Sequence, residues 1–416
     1  MPRLRPVESP VTIELDGHQL PAREGESVAA ALLAHDEFIF ARSPKYHRPR
    51  GPYCMSGECS QCLMRVDGVP NVATCCTPVR PGMRVEHQNA MPDRKLDFLR
   101  VNDFVFRDWF NHHEFLAGVP IAEDVLREVA RKLSGLGTLP ESAPAPREPA
   151  VTEALPLVIV GAGAAGLAAA ERLEALGQQP VVFEREARVG GRLAIGLGPA
   201  PAWAPRPERL RLRAQVVGLF ADDGRPFLAV LQHRRLHFVF FERLLLAVGG
   251  HPAFPTFPNN DLPGVMSGRA VARLVHEDGV LPGRTIACVG DTAEAEAVAR
   301  LVTAAGARAV AVGARVERAH GLRRVSAVTV TPGGRVGCDV VAVCEPPSPA
   351  FELARAAGAK VTWDEAQRTF LVEADEEGRT ARRAVWVAGE ARGRATPEEA
   401  AAQGRRAAES IARATP

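Results

Sequence analysis

Five of the eight cysteines lie between Cys54 and Cys76, and their spacing constrains this chain more than any other feature. The pattern is Cys54-x4-Cys59-x2-Cys62, with twelve residues between Cys62 and Cys75. In a reducing compartment such crowding points to metal ligation or redox chemistry. Three thiols on one loop and a fourth on a later segment match the needs of a 2Fe-2S cluster, whose two irons each take two soft thiolates. Gly57 suits a loop whose backbone must pass close to sulfide. Structural zinc and plain burial are the alternatives. Zinc usually takes two separated close pairs, a pattern this spacing matches poorly. The fourth ligand is open between Cys75 and Cys76, because neighbours on a strand face opposite sides. Cys288, Cys338 and Cys344 lie in apolar surroundings and read as small buried hydrophobes.

The cysteine loop sits in a β-rich segment, residues 1–90. Val11, Ile13 and Leu15 alternate as in a half-buried strand, and Asp16-Gly17 is a hairpin turn. Ser27 caps a helix from Val28 to about His35. Cys62, Met64 and Val66 alternate again before Asp67-Gly68, and Met83 to Glu86 is a last strand. Residues 91–150 read as a connector. It carries Phe98, Phe104, Phe106, Trp109, Phe110 and Phe115, a helix from Ala122 to Leu133, and a Pro/Ala-rich linker from Pro140 to Pro149. His112-His113-Glu114 reads as a solvated or packed loop. The basic run Arg42, Lys45, His47, Arg48, Arg50 is either a dock for an acidic partner, an offset to an anionic cluster, or a solvated loop.

At Leu157 the pattern changes to strand, glycine turn, helix, strand, which predicts an α/β domain with a parallel sheet. The apolar strand Leu157–Val160 runs into Gly161-Ala162-Gly163-Ala164-Ala165-Gly166. Leu167, Ala170, Leu173 and Leu176 mark the inner side of the helix that follows, and Gly177 ends it. The second strand, Val181 to Phe183, ends at Glu184. Glycines of this kind let backbone N–H groups meet a pyrophosphate at a helix N-terminus, and the acid bonds ribose hydroxyls. A weaker copy begins with the strand Thr285–Val289. Its turn, from Gly290 through Asp291 and Thr292, keeps only the first glycine. Its next strand, Ala309–Val312, ends without an acid. That unit reads as a Rossmann-like scaffold without bound NAD, with NAD(P) the alternative.

The net charge of +2 argues against a nucleic-acid binder. No apolar run is long enough for a membrane span, and the N-terminus has no apolar signal core, so a cytoplasmic protein is expected.

Several motifs resemble known families. Arg188-Val189-Gly190-Gly191-Arg192, Leu244 to Gly250, and Val385-Trp386-Val387-Ala388-Gly389-Glu390 resemble segments of two-dinucleotide flavoproteins related to glutathione reductase. That resemblance implies FAD at the first glycine motif, with Glu390 in place of the usual Asp at the closing strand. Gly57 to Leu63, Asp67 to Val72, Cys75-Cys76-Thr77-Pro78-Val79, Asn260 to Met266 and Cys338 to Cys344 resemble the α-type subunits of the sarcosine oxidase, hydrogen cyanide synthase, and opine and proline dehydrogenase group. In that group the Cys two residues before Thr-Pro-Val ligates iron, which selects Cys75.

The expected fold class is α/β plus α+β: a small β-grasp ferredoxin-like domain followed by a glutathione-reductase-like two-dinucleotide-binding flavoprotein. The expected domains are 1–90 for the cluster, 91–150 for the connector, 151–275 with 365–416 for FAD, and 276–364 for the NAD(P)-binding-like unit. The expected cluster ligands are Cys54, Cys59, Cys62 and Cys75. The expected cofactor-binding residues are Gly161, Gly163, Ala164, Ala165, Gly166, Glu184, Arg185, Gly191, Arg192, Gly249, Gly389 and Glu390. No catalytic side chain is identified. The resemblance implies an electron-transfer α subunit of a heteromeric amine or amino-acid dehydrogenase or oxidase of sarcosine, proline, opine or glycine type. Its partner would be an FAD-dependent amine-oxidising β subunit. The alternative is a self-contained NAD(P)H-dependent reductase passing electrons through FAD and the cluster to an acceptor.

Overall fold

The computed structural model describes residues 3–105, 148–290 and 292–414. The expectations for Phe106, Trp109, Phe110, Phe115, His112-His113-Glu114, the helix at Ala122–Leu133, most of the Pro140–Pro149 linker and Asp291 fall outside these residues. The chain forms two compact units, one from 1–143 and 254–345, the other from 144–253 and 346–416.

The first unit opens with a five-stranded mixed sheet. Its order is His18–Arg23, Pro10–Leu15, Arg84–Glu86, Leu63–Val66, Val69–Ala73, with Pro10–Leu15 and Arg84–Glu86 parallel. The hairpin turns at Asp16-Gly17 and Asp67-Gly68 have positive φ at both residues, as two-residue hairpin turns require. Helix Val28–Ala34 is buried on every residue. The Ser27 hydroxyl accepts from the Ala30 N–H and so fixes its start. This is the expected β-grasp arrangement.

The same unit holds a four-stranded parallel sheet in the order Val265–Ser267, Val340–Val343, Thr285–Val289, Arg308–Val310. Val265–Ser267 pairs with Val340–Val343, so this sheet takes a strand from before the expected 276–364 range, and residues 346–364 of that range fall in the other compact unit. Its last strand stops at Val310, short of the expected Val312, because Ala311 turns to φ +50°.

The second unit is built on a seven-stranded sheet. Leu210–Arg211, Val181–Phe183, Val151–Val160, Arg235–Leu246, Arg225–Gln232 and Ala214–Asp222 follow in order, and Val385–Val387 pairs with Arg235–Leu246. Val158 and Val160 enter one apolar core, with Leu244, Leu246 and Val387. Leu157 and Ile159 enter the other, with Leu245, Trp386 and helices Ala164–Ala175 and Pro397–Arg413. Alternating residues are thus buried on both faces, which is why Leu157–Val160, Leu244–Leu246 and Val385–Val387 are uniformly apolar in sequence. Leu167, Ala170 and Leu173 face the core as expected. Leu176 does not; it lies past the helix end and is 39% exposed.

Among the described residues, no helix is long and apolar enough to cross a membrane.

Candidate functional site

All eight cysteines are free thiols. Cys54, Cys62 and Cys75 are buried, Cys59 is half-buried and Cys76 is exposed. The Cys54 thiol hydrogen-bonds to those of Cys59 and Cys75, and Cys75 also to that of Cys62, so the expected quartet is drawn together. The sharing of protons splits their acidities. Cys54 is pushed down by its bonds to Cys59 and Cys75, and Cys62 down to about 7 by Cys75. Cys59 is pushed up by Cys54, and Cys75 by Cys54 and Cys62. The backbone N–H groups of Ser56 and Glu58 each lie 3.4 Å from Cys54 Sγ. The donor set is four soft thiols served by backbone N–H groups, which is the chemistry a 2Fe-2S cluster needs.

The fourth cysteine is not on a strand. Thr74–Cys76 forms a 3₁₀ turn that closes with the Thr74 hydroxyl on the Cys62 carbonyl at 2.7 Å. The turn buries Cys75 and leaves Cys76 outside, with the two sulfurs 3.8 Å apart. A Cβ on Gly57, whose φ is +79°, would lie 2.9 Å from Cys76 Sγ. That glycine therefore has both a conformational and a steric reason.

The basic run beside the loop is a structural hub. Arg42 and His47 are buried, Arg42 donating to the carbonyls of Arg94 and His47, and His47 Nδ1 lying 2.8 Å from Asp97. Arg48 pairs with Asp103 and Arg50 with Asp261. Only Lys45 of the five keeps its charge at an exposed position, over the Tyr46 ring.

In the second unit, the three glycines divide into two kinds. A Cβ on Gly161 would lie 2.3 Å from the Ala247 carbonyl oxygen, and one on Gly166 1.9 Å from that of Gly161, so both serve close packing. A Cβ on Gly163 would meet nothing within 4 Å. Gly163 caps helix Ala164–Ala175, so its open side is where a helix N-terminus offers unbonded N–H groups. Gly191 comes against it, its Cβ position 3.3 Å from Gly163 Cα. Glu184 is buried, and its carboxylate accepts from the N–H of Ala162 at 2.7 Å and of Glu186 at 2.9 Å. Burial raises its pKa against these two bonds. It is thus engaged with the glycine turn and with the backbone just past its own strand.

Arg192 Nη1 donates to Glu390 at 3.1 Å, and Glu390 Oε2 lies 3.8 Å from the Cβ position of Gly249. Gly389 holds φ +74°, and its N–H donates to Gln403 Oε1 at 2.9 Å. Ala164 starts the helix, and Ala165 packs under Gly389 and Gly404. Arg185 is exposed and pairs with Glu186 at 3.9 Å, beside the acid rather than within the Arg192–Glu390–Gly249 group. The open Gly163 face, with Gly191, Arg192, Gly249 and Glu390, fits a flavin dinucleotide. The sequence pattern marks Gln403 to Ala408 as a final helix beneath the flavin but not the bond from Gly389 to Gln403, which the helix Pro397–Arg413 supplies.

The second glycine turn packs its first glycine in the same way and differs beyond it. A Cβ on Gly290 would lie 2.9 Å from the Cys344 backbone, and Thr292 Oγ1 donates to the Cys344 carbonyl at 2.7 Å. Glu294, in the first turn of helix Ala293–Ala304, pairs with Arg269 at 3.1 Å.

Residues 8–90 match the family described as a 2Fe-2S iron-sulfur cluster binding domain. Residues 159–196 match an NAD(P)-binding Rossmann-like domain. Sarcosine oxidase subunit alpha of Rhizobium meliloti is 26% identical over 423 residues, 89% of this chain and 43% of that protein. Hydrogen cyanide synthase subunit HcnA of Pseudomonas aeruginosa is 38% identical over 85 residues, 20% of this chain and 81% of HcnA. The L-proline dehydrogenase of P. horikoshii shares the fold at a TM-score of 0.72 and 20% identity, over 97% of this chain and 73% of that one. The chain spans less than half the length of the sarcosine oxidase alpha subunits it matches.

Proposed function

This chain belongs to the family of iron–sulfur flavoprotein oxidoreductase subunits that takes in sarcosine oxidase alpha and hydrogen cyanide synthase, and on that premise we propose that it is the electron-transfer α-type subunit of a heteromeric amine or amino-acid dehydrogenase or oxidase. Cys54, Cys59, Cys62 and Cys75 are its cluster ligands. Gly161 to Gly166, Glu184, Gly191, Arg192, Gly249, Gly389 and Glu390 hold its FAD. When bound, the cluster passes electrons singly and the flavin takes or gives them in pairs. This chain's residues supply the rest: N–H groups on sulfur at Cys54, a helix N-terminus at Gly163, and the Arg192–Glu390 pair between two of the cradle's motifs. A separate FAD-dependent subunit would oxidise the C–N bond of an amine or amino acid.

The observation that carries this reading is the joint occurrence of a four-thiol set in one unit and an open glycine cradle in the other. The second dinucleotide-like unit acts as a scaffold. Its turn keeps only the first of the three glycines, and Glu294 in the first turn of its helix is occupied by an ion pair with Arg269.

The test is anaerobic co-purification with a second flavoprotein encoded beside this chain, followed by an amino-acid screen with an artificial acceptor. Turnover that needs both subunits supports the proposal. Amino-acid oxidation by this chain alone, or bleaching of its flavin by NADH without a partner, would contradict it.

A further inference from the structure

We infer that Arg273 is a positioning residue for the iron–sulfur centre, holding the cluster loop from the second dinucleotide-like unit. The inference rests on Cys54, Cys59, Cys62 and Cys75 being the ligands.

Cys54 and Tyr53 are not packed within the β-grasp fold alone. Both enter an apolar core with Phe257, Leu262, Val265 and Val341 of the parallel sheet and its approach. The backbone on either side of Cys54 is held by one short segment of that part of the chain. The Ser267 N–H, at the end of strand Val265–Ser267, donates to the Tyr53 carbonyl at 2.9 Å. Arg273 Nη1, at the end of helix Gly268–Arg273, donates to the Met55 carbonyl at 3.3 Å.

The second contact bears on a conformation that resists forming. Met55 has φ +52°, a region disfavoured for residues with a side chain. Turning that peptide presents the next N–H groups, of Ser56 and Glu58, to Cys54 Sγ. Arg273 is itself steered by Glu277 at 3.6 Å and is only 21% exposed. It stands where the helix passes into the π-helical turn Leu274–Asp278, a local irregularity often found at functional sites.

N–H groups on a ligating sulfur, and a cation nearby, both favour the more negative, reduced cluster. Losing Arg273 therefore lowers the midpoint potential and loosens the iron. The test uses the full-length chain purified anaerobically as wild type, R273A, R273K and R273Q, with R300A as an exposed control. Midpoint potential and EPR spectrum are read, together with iron release to a chelator. R273A should show a lower potential and roughly tenfold faster iron release, the usual scale for an outer partner of a ligand. R273K should recover part of the potential through its charge. R300A should match wild type.

If R273A does not fold, R273K and R273Q carry the comparison. Variants equal to wild type in potential, EPR and iron release overturn the inference, as does a change in melting temperature with no change in those three. A wild-type chain with no 2Fe-2S signal overturns the ligand assignment beneath it.

Discussion

Arg192 and Glu390, 198 residues apart in sequence, are joined by a 3.1 Å hydrogen bond between guanidinium and carboxylate. The pair ties the glycine pair after the second strand to the closing strand of the sheet. Both side chains are mostly shielded, at 23% and 12% exposure, so the contact is worth more than a surface ion pair. Removing the cation with R192M leaves Glu390 without that donor, at a cost of about 1–3 kcal/mol. FAD release from R192M, followed by flavin fluorescence, should be roughly tenfold easier than from wild type, since about 1.4 kcal/mol is a factor of ten. E390D shortens the acid and should weaken the same contact, although Asp is the usual residue in related flavoproteins.

Gly404 and Gly163 predict opposite outcomes for the same substitution. A Cβ on Gly404 would lie 2.1 Å from the Ala165 carbonyl oxygen, where helix Pro397–Arg413 meets helix Ala164–Ala175. The obstacle is backbone and cannot rotate away. G404A should cost about 1–3 kcal/mol or more, read as a lower denaturation midpoint. Gly163 has φ −77° and open space around its Cβ position. G163A puts a poorer residue at a helix N-cap but meets no clash, and should cost no more than about 1 kcal/mol. Its methyl group should nevertheless obstruct a pyrophosphate and reduce flavin content.

Asp16 gives the β-grasp domain an acid limit. Burial would raise its pKa, but hydrogen bonds from His87 and Arg94 outweigh that and hold it at about 2, below the ordinary 3.8. Its folded value is the lower one, so the stabilisation is complete above about pH 4 and is lost as pH falls through about 2. Discounted for partial exposure, the effect is about 1–2 kcal/mol. Urea denaturation at pH 6 and pH 3 should show wild type losing part of this margin, and D16N should show a smaller pH dependence. Arg94 keeps its bonds to Glu37 and to the Ile39 carbonyl, so D16N should leave the start of the connector in place.

Much of this was readable in the sequence because local chemistry dictated it. Gly166 is required by a backbone contact inside its own turn, and the apolar strand Leu157–Val160 by burial on both faces, as Leu157 and Val158 show. What could not be read depends on contacts between distant segments. Nothing local to Arg273 or Ser267 says that they meet Met55 and Tyr53. Arg42 and His47 look like a basic surface in sequence, yet Asp97 and the Arg94 carbonyl, some fifty residues away, bury them. Leu176 follows the helical period but falls just beyond the last turn.

The 3₁₀ turn Thr74–Cys76 buries one of two adjacent thiols and exposes the other, which supports Cys75 as the proposed fourth ligand. On a strand, Cys75 and Cys76 would point to opposite faces and either could be the ligand. In the turn, Cys75 is buried and hydrogen-bonds to the thiols of Cys54, Cys62 and Cys76, whereas Cys76 is exposed and touches that network through Cys75. C75S should abolish or severely deplete the 2Fe-2S absorption and EPR signal, because serine is a harder and far less acidic ligand than a thiol. C76S should retain both, with iron content equal to wild type. The reverse pattern would reassign the fourth ligand to Cys76 and require the turn to open. T74V, which removes the hydroxyl bonded to the Cys62 carbonyl, should loosen the turn and give an intermediate iron content.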